Sequence, residues 1–267
     1  MLAGRRIILT GASEGIGRAL ALALSTAGAR LALAARDRDR LDSLVRECRG
    51  RGGGGEAIAV PTDITNEQDC EWLVAETVKA FGGVDVVVHN AGVTMWSRFD
   101  ALEDFSIFET LMRVNYLGPV HLTAQALPHL KHSKGLIVAV ASLAGLTGVP
   151  ERSGYAASKH AMIGFFDSLR IELAGSGVDV SVIAPDFVVS EIHKRAIGPN
   201  GEPLGESPMV QSKIMTADEC AARIVRAIGK RERLVIMSAR GKLGRWLKLL
   251  APALIDRIAA TAIRERH

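Results

Sequence analysis

The sequence predicts an α/β fold, a doubly wound domain in which helices cover both faces of a seven-stranded, mainly parallel sheet. Short apolar runs alternate along the chain with longer amphipathic or alanine-rich stretches, as strands and helices do in such folds. Most of these runs are apolar on consecutive residues, which is typical of strands that are buried on both faces. A glycine-rich turn separates the first run from the first helical stretch.

The predicted strands are short runs rich in valine, isoleucine, leucine and alanine. Each has five or six residues, an ordinary length for a strand. In chain order they span residues 5–10, 30–35, 56–61, 84–89, 136–141, 179–184 and 233–237.

The predicted helices lie between these runs and are longer than the strands. They span residues 15–27, 38–49, 67–81, 102–132, 155–174 and 217–230. Residues 50–55 are predicted to form a loop, because each glycine in this run would cost a helix about 1 kcal/mol relative to alanine.

The chain is predicted to form one domain over residues 1–239, followed by a helical tail over residues 240–267. Residues 185–215 exceed the ~12–15 residues of an ordinary loop, and we interpret them as a lid over an active site. The tail is basic and apolar, and Pro252 divides it into two short helices. Three interpretations stay open for the tail: packing on the domain or on a second subunit, contact with a membrane surface, and disorder.

The composition argues against several classes of protein. The net charge of +4 comes from scattered basic residues that acids partly offset, which does not favour a nucleic-acid surface. The three cysteines, Cys48, Cys70 and Cys220, form no cluster, so we expect neither a metal site nor a disulfide framework. No uncharged apolar run reaches the ~18 residues that span a bilayer. These features favour a reduced, cytoplasmic setting.

The turn after the first strand has the pattern of a phosphate-binding turn. Glycine lets the backbone approach a pyrophosphate closely, and the N-terminus of the following helix offers free N–H donors. The alternative is a glycine-rich turn without a ligand. The residues predicted to contact a dinucleotide here are Gly11, Ser13, Glu14, Gly15, Ile16 and Gly17.

The end of the second strand indicates which dinucleotide binds. An NAD enzyme places an acid there for the ribose 2′-hydroxyl, whereas this strand ends in Ala35 and Arg36. A guanidinium favours a 2′-phosphate through charge-assisted hydrogen bonds, so we predict NADP(H). Arg38 is expected to assist and Asp37 to weaken the local field. The alternative for Arg36 is a solvated surface charge.

Tyr155 and Lys159 stand four residues apart at the start of a helical stretch, so both side chains project from one face. An ammonium ion near a phenol favours the phenolate, which lets a tyrosine exchange a proton with a substrate oxygen. Taken alone, the pair fits a structural tyrosine beside an exposed lysine better than a catalytic pair. Its place in the chain favours the catalytic interpretation.

Two polar residues add to this constellation. Ser142 ends the fifth strand at the crevice edge of the sheet, where its hydroxyl can hold the reacting oxygen or cap a turn. Asn115 interrupts a predicted helix shortly before Gly118 and Pro119. It is interpreted either as the anchor of a water in a proton relay or as a buried amide that satisfies irregular backbone.

The combined motifs resemble the short-chain dehydrogenase/reductase family, in its branch of about 250 residues, and the tail resembles those of its hydroxysteroid-dehydrogenase-like members. The resemblance spans residues 5–237 and implies a Rossmann fold. The motifs that carry it are the turn at residues 10–17, Asp63, the run from His89 to Gly92, Asn115, Ser142, Tyr155 and Lys159.

The resemblance implies a role for each matching residue. Tyr155 would be the acid/base, Lys159 would also bind the nicotinamide ribose, Ser142 would orient the carbonyl, and Asn115 would extend the proton relay. Asp63 and Ile64 would meet the adenine. Further cofactor contacts are expected at Asn90, Ala91, Gly92, Pro185, Val188 and Ser190.

The sequence departs from the family pattern at two positions. Asp186 stands where the family usually has glycine after Pro185, which leaves the local turn uncertain. His89 replaces a more frequent asparagine and is interpreted as a packing residue rather than a catalyst.

We expect a lipophilic ketone, aldehyde or alcohol substrate and a homodimer or homotetramer, with peripheral membrane contact through the tail as a further option. A nucleotide-sensing protein without turnover is the alternative function. The apolar residues expected to line the substrate pocket are Met95, Trp96, Leu143, Val149, Phe187, Val188, Met209 and Met215.

Overall fold

The computed structural model describes residues 2–51, 55–189, 191–206 and 214–264. Ser190 and Met209, both named above, lie outside the described residues. The strands are β1 (Arg6–Thr10), β2 (Arg30–Ala35), β3 (Ala57–Pro61), β4 (Val86–His89), β5 (Leu136–Val140), β6 (Asp179–Ala184) and β7 (Leu234–Ile236).

The strands form one sheet in the order β3-β2-β1-β4-β5-β6-β7, and every pair of neighbours is parallel. This confirms the predicted fold class and makes the sheet of the described residues fully, rather than mainly, parallel. The chain moves outward from β1 to β3 and then returns to place β4 beside β1. A crevice therefore opens at the carboxyl ends of β1 and β4, where open α/β sheets bind ligands.

Helices cover both faces of the sheet. They are α1 (Gly15–Thr26), α2 (Arg38–Gly50), α3 (Glu67–Phe81), α4 (Ser106–Met112), α5 (Gly118–Ser133), α6 (Ser153–Glu172), α7 (Ala217–Lys230), α8 (Ala239–Leu250) and α9 (Pro252–Arg264).

The consecutive apolar residues of the strands serve two separate cores. On β1, Ile7 and Leu9 pack with Leu24 of α1 on one face, whereas Ile8 packs on the other face in the cluster that contains Phe166 of α6. All five side chains are fully buried. This burial explains why the strands lack an alternating polar pattern.

The single helix predicted over residues 102–132 is wrong. The chain instead forms α4, a wide π-helical turn over Arg113–Leu117, and α5. Pro119 has no N–H to donate to the carbonyl four residues earlier, so regular α-helical bonding fails at Asn115. The wide turn accommodates this loss and lets the Asn115 side chain point into the protein.

The tail forms two helices, and the first of them is attached to the domain. The Ser238 hydroxyl caps α8 by accepting a hydrogen bond from the Gly241 N–H, and Lys248 Nζ donates to the Leu146 carbonyl at 3.0 Å. Within the described ranges, no helix combines the length and the hydropathy needed to cross a membrane. The outward side of the tail exposes the large apolar side chains of Leu243, Trp246, Leu249, Leu250, Leu254 and Ile258.

Candidate active site

A cleft of about 1190 Å³ opens at the carboxyl ends of the central strands. Most of the residues predicted from the sequence lie on its walls, although Asn115 does not, and Ser190 lies outside the described residues. The predicted residues that line the cleft are Gly11, Ser13, Glu14, Gly15, Ile16, Gly17, Arg36, Asp63, Ile64, Asn90, Ala91, Gly92, Ser142, Tyr155, Lys159, Pro185 and Val188.

The glycine turn is closed too tightly for side chains. A Cβ atom on Gly17 would lie 2.0 Å from the Gly11 carbonyl oxygen, and one on Gly11 would lie 2.7 Å from the Cα of Ala91. Gly11 also has a φ of +63°, which L-residues rarely adopt. Glu14 stands at the N-cap of α1 but its side chain does not cap the helix. The turn therefore forms a cradle that presents uncapped N–H donors, as an anion-binding site requires.

Asn90 braces this turn from the neighbouring strand. Its Nδ2 donates to the carbonyls of Thr10 and Gly11, each at 3.1 Å. The Thr10 hydroxyl in turn accepts from the backbone N–H groups of Asn90 and Ala91. The ends of β1 and β4 are thus held at a fixed separation across the crevice.

Basic side chains gather where the second strand meets the cleft. Arg36 is exposed, lines the cleft and forms no hydrogen bond or ion pair with any described residue. Arg38 does not line the cleft; its side chain points outward and pairs with Asp42 at 3.7 Å. Arg40, which the sequence analysis missed, does line it and binds Glu14 at 2.9 Å. Arg40 follows Asp37 by one turn of α2, so helical spacing could have identified it.

Tyr155 and Lys159 lie on the first turns of α6 and reach the same end of the cleft. The Lys159 ammonium is 5.9 Å from the centre of the Tyr155 ring and donates to the Val140 carbonyl at 3.0 Å. Lys159 is only 3% exposed, and this burial lowers the pKa of its ammonium group. The Tyr155 hydroxyl makes no hydrogen bond within the described ranges and is available to a ligand.

Ser142 stands at the end of β5 on the same wall. Its hydroxyl oxygen accepts a hydrogen bond from the Ala144 N–H at 3.1 Å, so it caps the short turn that follows. The hydroxyl proton stays free to donate into the cleft, which Ser142 lines. The capping and substrate-orienting interpretations are therefore compatible.

Asn115 lies behind the cleft wall and is fully buried. Its Oδ1 accepts from the Val93 N–H, and its Nδ2 donates to the Val93 carbonyl and to Ser158 Oγ, each at 2.9 Å. The side chain therefore uses both amide protons but keeps one Oδ1 lone pair for the water that one interpretation requires. It also matches the other interpretation, an amide that satisfies irregular backbone, and it joins the cleft loop to α6.

His89 is buried and packs within the domain. Its Nε2 lies 3.0 Å from the Thr123 hydroxyl, and its ring centre lies 5.2 Å from that of Phe166, with the two rings tilted by 34°. Burial lowers the pKa of His89 to about 3, so the imidazole is neutral at physiological pH. This geometry agrees with a packing residue.

The substrate end of the cleft differs from the predicted apolar lining. Leu143, Val149, Phe187 and Val188 line it, but Met95 is buried in the core beside Tyr155, and neither Trp96 nor Met215 reaches the cleft. Arg152 and His193, which were not predicted from the sequence, both line this end. Arg152 precedes Tyr155 by three residues and so shares its helix face, which is a signal that could have revealed it.

Comparison with known proteins supports the interpretation of the cleft. Residues 5–198 match the family model described as short chain dehydrogenase. The chain is 34% identical to the Arabidopsis thaliana protein named 11-beta-hydroxysteroid dehydrogenase 1A, over 96% of this chain and 74% of the relative. It is 37% identical to 11-beta-hydroxysteroid dehydrogenase-like 4A of the same plant, over 94% and 82% of the two chains.

Solved structures also resemble this one. A short-chain dehydrogenase/reductase from Burkholderia phymatum, in complex with NAD, aligns with a TM-score of 0.82 at 25% identity over 95% of each chain. An alcohol dehydrogenase from Thermococcus sibiricus, complexed with 5-hydroxy-NADP, aligns with a TM-score of 0.73 at 29% identity, over 85% of this chain and 90% of that one.

Proposed function

The chain belongs to the short-chain dehydrogenase/reductase family, and we propose that it is an NADP(H)-dependent oxidoreductase that interconverts a lipophilic ketone or aldehyde with its alcohol. The observation that carries this proposal is the convergence of Tyr155, Lys159 and Ser142 at one end of a cleft whose other end is a glycine cradle. This arrangement suits a dinucleotide that lies along the cleft with its reactive end beside a proton donor.

The residues present fit a nicotinamide dinucleotide. Gly11 and Gly17 allow the turn to close tightly, so that a pyrophosphate can approach its backbone, and the start of α1 supplies N–H donors for it. Asp63 and Ile64 are assigned to the adenine and Lys159 to the nicotinamide ribose, as the family resemblance implies, and all three line the cleft. When bound, the cofactor exchanges a hydride with the substrate carbon. Further contacts are assigned to Ser13, Glu14, Gly15, Ile16, Asn90, Ala91, Gly92, Pro185, Val188 and Ser190.

The protein's own side chains handle the proton. In reduction, Tyr155 donates its phenolic proton to the carbonyl oxygen as the carbon gains the hydride, and the alcohol forms. Ser142 donates a hydrogen bond to the same oxygen and orients it. Lys159 places a positive charge near the ring and so stabilises the phenolate that remains. Asn115 acts as a positioning residue that holds α6 against the cleft loop.

The choice of NADP(H) rests on Arg36. Its guanidinium lies on the cleft wall without a partner in the described part of the chain, and no acid occupies the end of β2. The two solved relatives hold an NADP derivative and NAD, so their titles do not decide the matter. A 2′-phosphate would give Arg36, with Arg40 beside it, an anionic partner.

A lipophilic substrate is supported by the apolar walls at the reactive end, formed by Leu143, Val149, Phe187 and Val188. The names of the Arabidopsis relatives, hydroxysteroid dehydrogenases, point to the same class. The test is a screen of NADPH oxidation over ketones and aldehydes of graded size. Consumption of NADPH that depends on the carbonyl compound would support the proposal, whereas tight NADPH binding without turnover would favour the alternative, a nucleotide-sensing protein.

The tail is proposed to make an intermolecular contact. Its apolar stripe at Leu243, Trp246, Leu249 and Leu250 is exposed although α8 is attached to the domain. The stripe suits the two contacts that the sequence left open, a second subunit of a homodimer or homotetramer and a membrane surface. A cytoplasmic location is supported by the three cysteines, which are all buried and unpaired.

A further inference from the structure

A buried arginine without a carboxylate partner lies at the reactive end of the cleft. Arg152 is only 5% exposed, yet its side chain lines the cleft. Of its guanidinium nitrogens, only Nη2 donates a hydrogen bond within the described ranges, to the neutral hydroxyl of Thr94. Nε is buried and has no hydrogen-bond partner. An arginine carries five N–H donors and cannot lose its charge, so most of this hydrogen-bonding capacity is unused.

Aromatic rings hold the guanidinium in place. Its Cζ lies 4.5 Å from the centre of the Tyr155 ring, 5.2 Å from that of Trp96 and 5.7 Å from that of Phe187. In contacts of this kind the positive charge is attracted to the face of an aromatic ring. The N–H groups at the edge of the guanidinium remain available to a hydrogen-bond acceptor. Arg152 is therefore positioned before any ligand arrives.

His193 of the lid completes the pocket. It is buried and lines the cleft, and its ring lies 6.1 Å from that of Phe187 and 6.4 Å from that of Trp96. Its Nε2 lies 3.2 Å from the Val188 carbonyl, whereas Nδ1 is buried without a partner. Burial, and then the positive charge of Arg152, lower the pKa of His193. An anion in the pocket would counter the effect of the Arg152 charge on this pKa. It would therefore favour protonated His193, which is then a second cationic hydrogen-bond donor beside Arg152.

Two carboxylates near Arg152, those of Asp186 and Glu151, are engaged by other side chains. The Asp186 carboxylate is engaged by Arg240, and the Glu151 carboxylate accepts from Trp96 Nε1 at 3.0 Å. Among the acids whose side chains the structure describes, none forms an ion pair with Arg152. A buried cation of this kind is costly unless an anion joins it.

We propose that Arg152, together with His193, binds a carboxylate of the substrate, so that the lipophilic carbonyl compound is an oxo acid and its reduced form a hydroxy acid. This inference rests on the proposed function and deepens it. A single planar guanidinium matches the two oxygens of a carboxylate. The guanidinium lies against the ring of Tyr155, so only a few bonds separate the carboxylate from the reacting carbonyl.

The cofactor does not supply this anion. Arg152 contacts Thr94, Tyr155, Trp96 and Phe187, and none of these belongs to the glycine turn that is assigned to the pyrophosphate. The pocket faces the space next to the acid/base, which the substrate occupies.

The test compares matched pairs of substrates. Straight-chain oxo acids with the oxo group at successive carbons, and the methyl ester of each, are reduced with NADPH by the wild-type protein. We expect kcat/KM for the best acid to exceed that for its ester by roughly tenfold or more, since a buried charged hydrogen bond is lost in the ester. In Arg152→Gln this ratio falls toward one, mainly through a higher KM for the acid, and Arg152→Lys restores part of it.

Two controls keep the outcome clear. Arg98→Gln removes an exposed arginine that pairs with Asp100 outside the cleft, and it should keep the wild-type ratio. A saturated fatty acid should inhibit the reduction of a neutral ketone by the wild-type protein more strongly than the corresponding amide does. This inhibition and the wild-type ratio need no variant, so they stand even if Arg152→Gln does not fold.

Three results would overturn the carboxylate pocket. The first is that the wild type reduces the esters as well as or better than the acids. The second is equal inhibition by the fatty acid and its amide. The third is that a folded Arg152→Gln protein loses activity on the oxo acid and on its ester to the same extent. If neutral ketones are still reduced in a way that depends on Tyr155, only this inference fails. If no carbonyl compound is reduced, the proposed function fails and the pocket with it.

Discussion

The Asp186 carboxylate accepts two hydrogen bonds from the Arg240 guanidinium, from Nε at 2.6 Å and from Nη2 at 2.7 Å. The Ser238 hydroxyl donates a third at 2.8 Å. These bonds join the beginning of the segment that follows β6 to the beginning of α8. Burial raises the pKa of Asp186, but the hydrogen bonds from Arg240 and Ser238 outweigh it, and the net pKa is lowered. The acid that departs from the family pattern thus has a structural role.

Asp186→Asn should loosen this connection. We expect a loss of about 1 kcal/mol of stability, kept small because the Arg240 side chain is 68% exposed, and a fall in the unfolding midpoint of about 2–4 °C. KM should rise more than kcat falls, because the lid is affected and the proton donor is not. Thermal unfolding and steady-state kinetics measure both, with Asp100→Asn in an exposed pair as the control.

The same pair predicts a dependence on pH. A carboxylate with a lowered pKa in the folded state stabilises the fold above its unfolded pKa, and this contribution is lost as the pH falls through the folded value. The difference in unfolding midpoint between wild type and Asp186→Asn should therefore be constant near neutral pH and shrink under acid conditions. A difference that grows with acidity would contradict the assignment.

Arg36→Ala should weaken the preference for NADPH. Loss of a charge-assisted bond to the 2′-phosphate is expected to raise KM for NADPH by roughly tenfold or more, with little change for NADH. Arg38→Ala is the matched control, because Arg38 pairs with Asp42 away from the cleft. A wild-type protein that prefers NADH, or equal effects of the two variants, would contradict the cofactor proposal.

Gly17→Ala should disrupt the cradle. Its Cβ would lie 2.0 Å from the Gly11 oxygen, so the turn must shift, at a cost of about 1–3 kcal/mol, and affinity for the dinucleotide should fall. Gly50→Ala is the control, since a Cβ at the end of α2 meets nothing within 4 Å. Calorimetric titration with NADPH and thermal unfolding provide the measurements. If Gly17→Ala binds NADPH with unchanged affinity, the glycine turn is not the binding site of the dinucleotide.

Truncation after Ala251 should preserve activity, because it removes α9 and keeps the bonds that Arg240 and Lys248 make to the domain. Because the stripe on α8 is kept, analytical ultracentrifugation and binding to anionic lipid vesicles then show whether α9 adds to either contact proposed for the tail. A lower subunit number supports the second subunit, and lost vesicle binding supports the membrane surface. If both properties stay as in the full chain, α9 contributes to neither contact.

The strands, their parallel orientation and the glycine turn were predictable, because each follows from the pattern of residues along the chain. Consecutive apolar residues such as Ile7, Ile8 and Leu9 indicate a strand with two buried faces, and glycine reports a turn without room for Cβ. The helix over residues 102–132 was predicted wrongly, since Asn115, Gly118 and Pro119 mark an interruption but do not show that the helix divides at a wide π-helical turn.

The missed features depend on contacts between distant parts of the chain. Asp186 and Arg240 are 54 residues apart, and no local pattern pairs them. Spacing relative to Tyr155 could have placed Arg152 on the same helix face, but its contacts with the rings of Trp96 and Phe187, and hence its burial, do not follow from the sequence. The inward direction of the Asn115 side chain likewise follows from a backbone irregularity.

The most direct test of the central claim is the rate of carbonyl-dependent NADPH oxidation in Tyr155→Phe beside the wild type. Loss of the proton donor should lower kcat by roughly 10²–10⁴-fold while NADPH still binds, because phenylalanine keeps the ring that packs against Arg152. If Tyr155→Phe keeps the wild-type rate on the best substrate, Tyr155 is not the acid/base and the proposed mechanism is wrong.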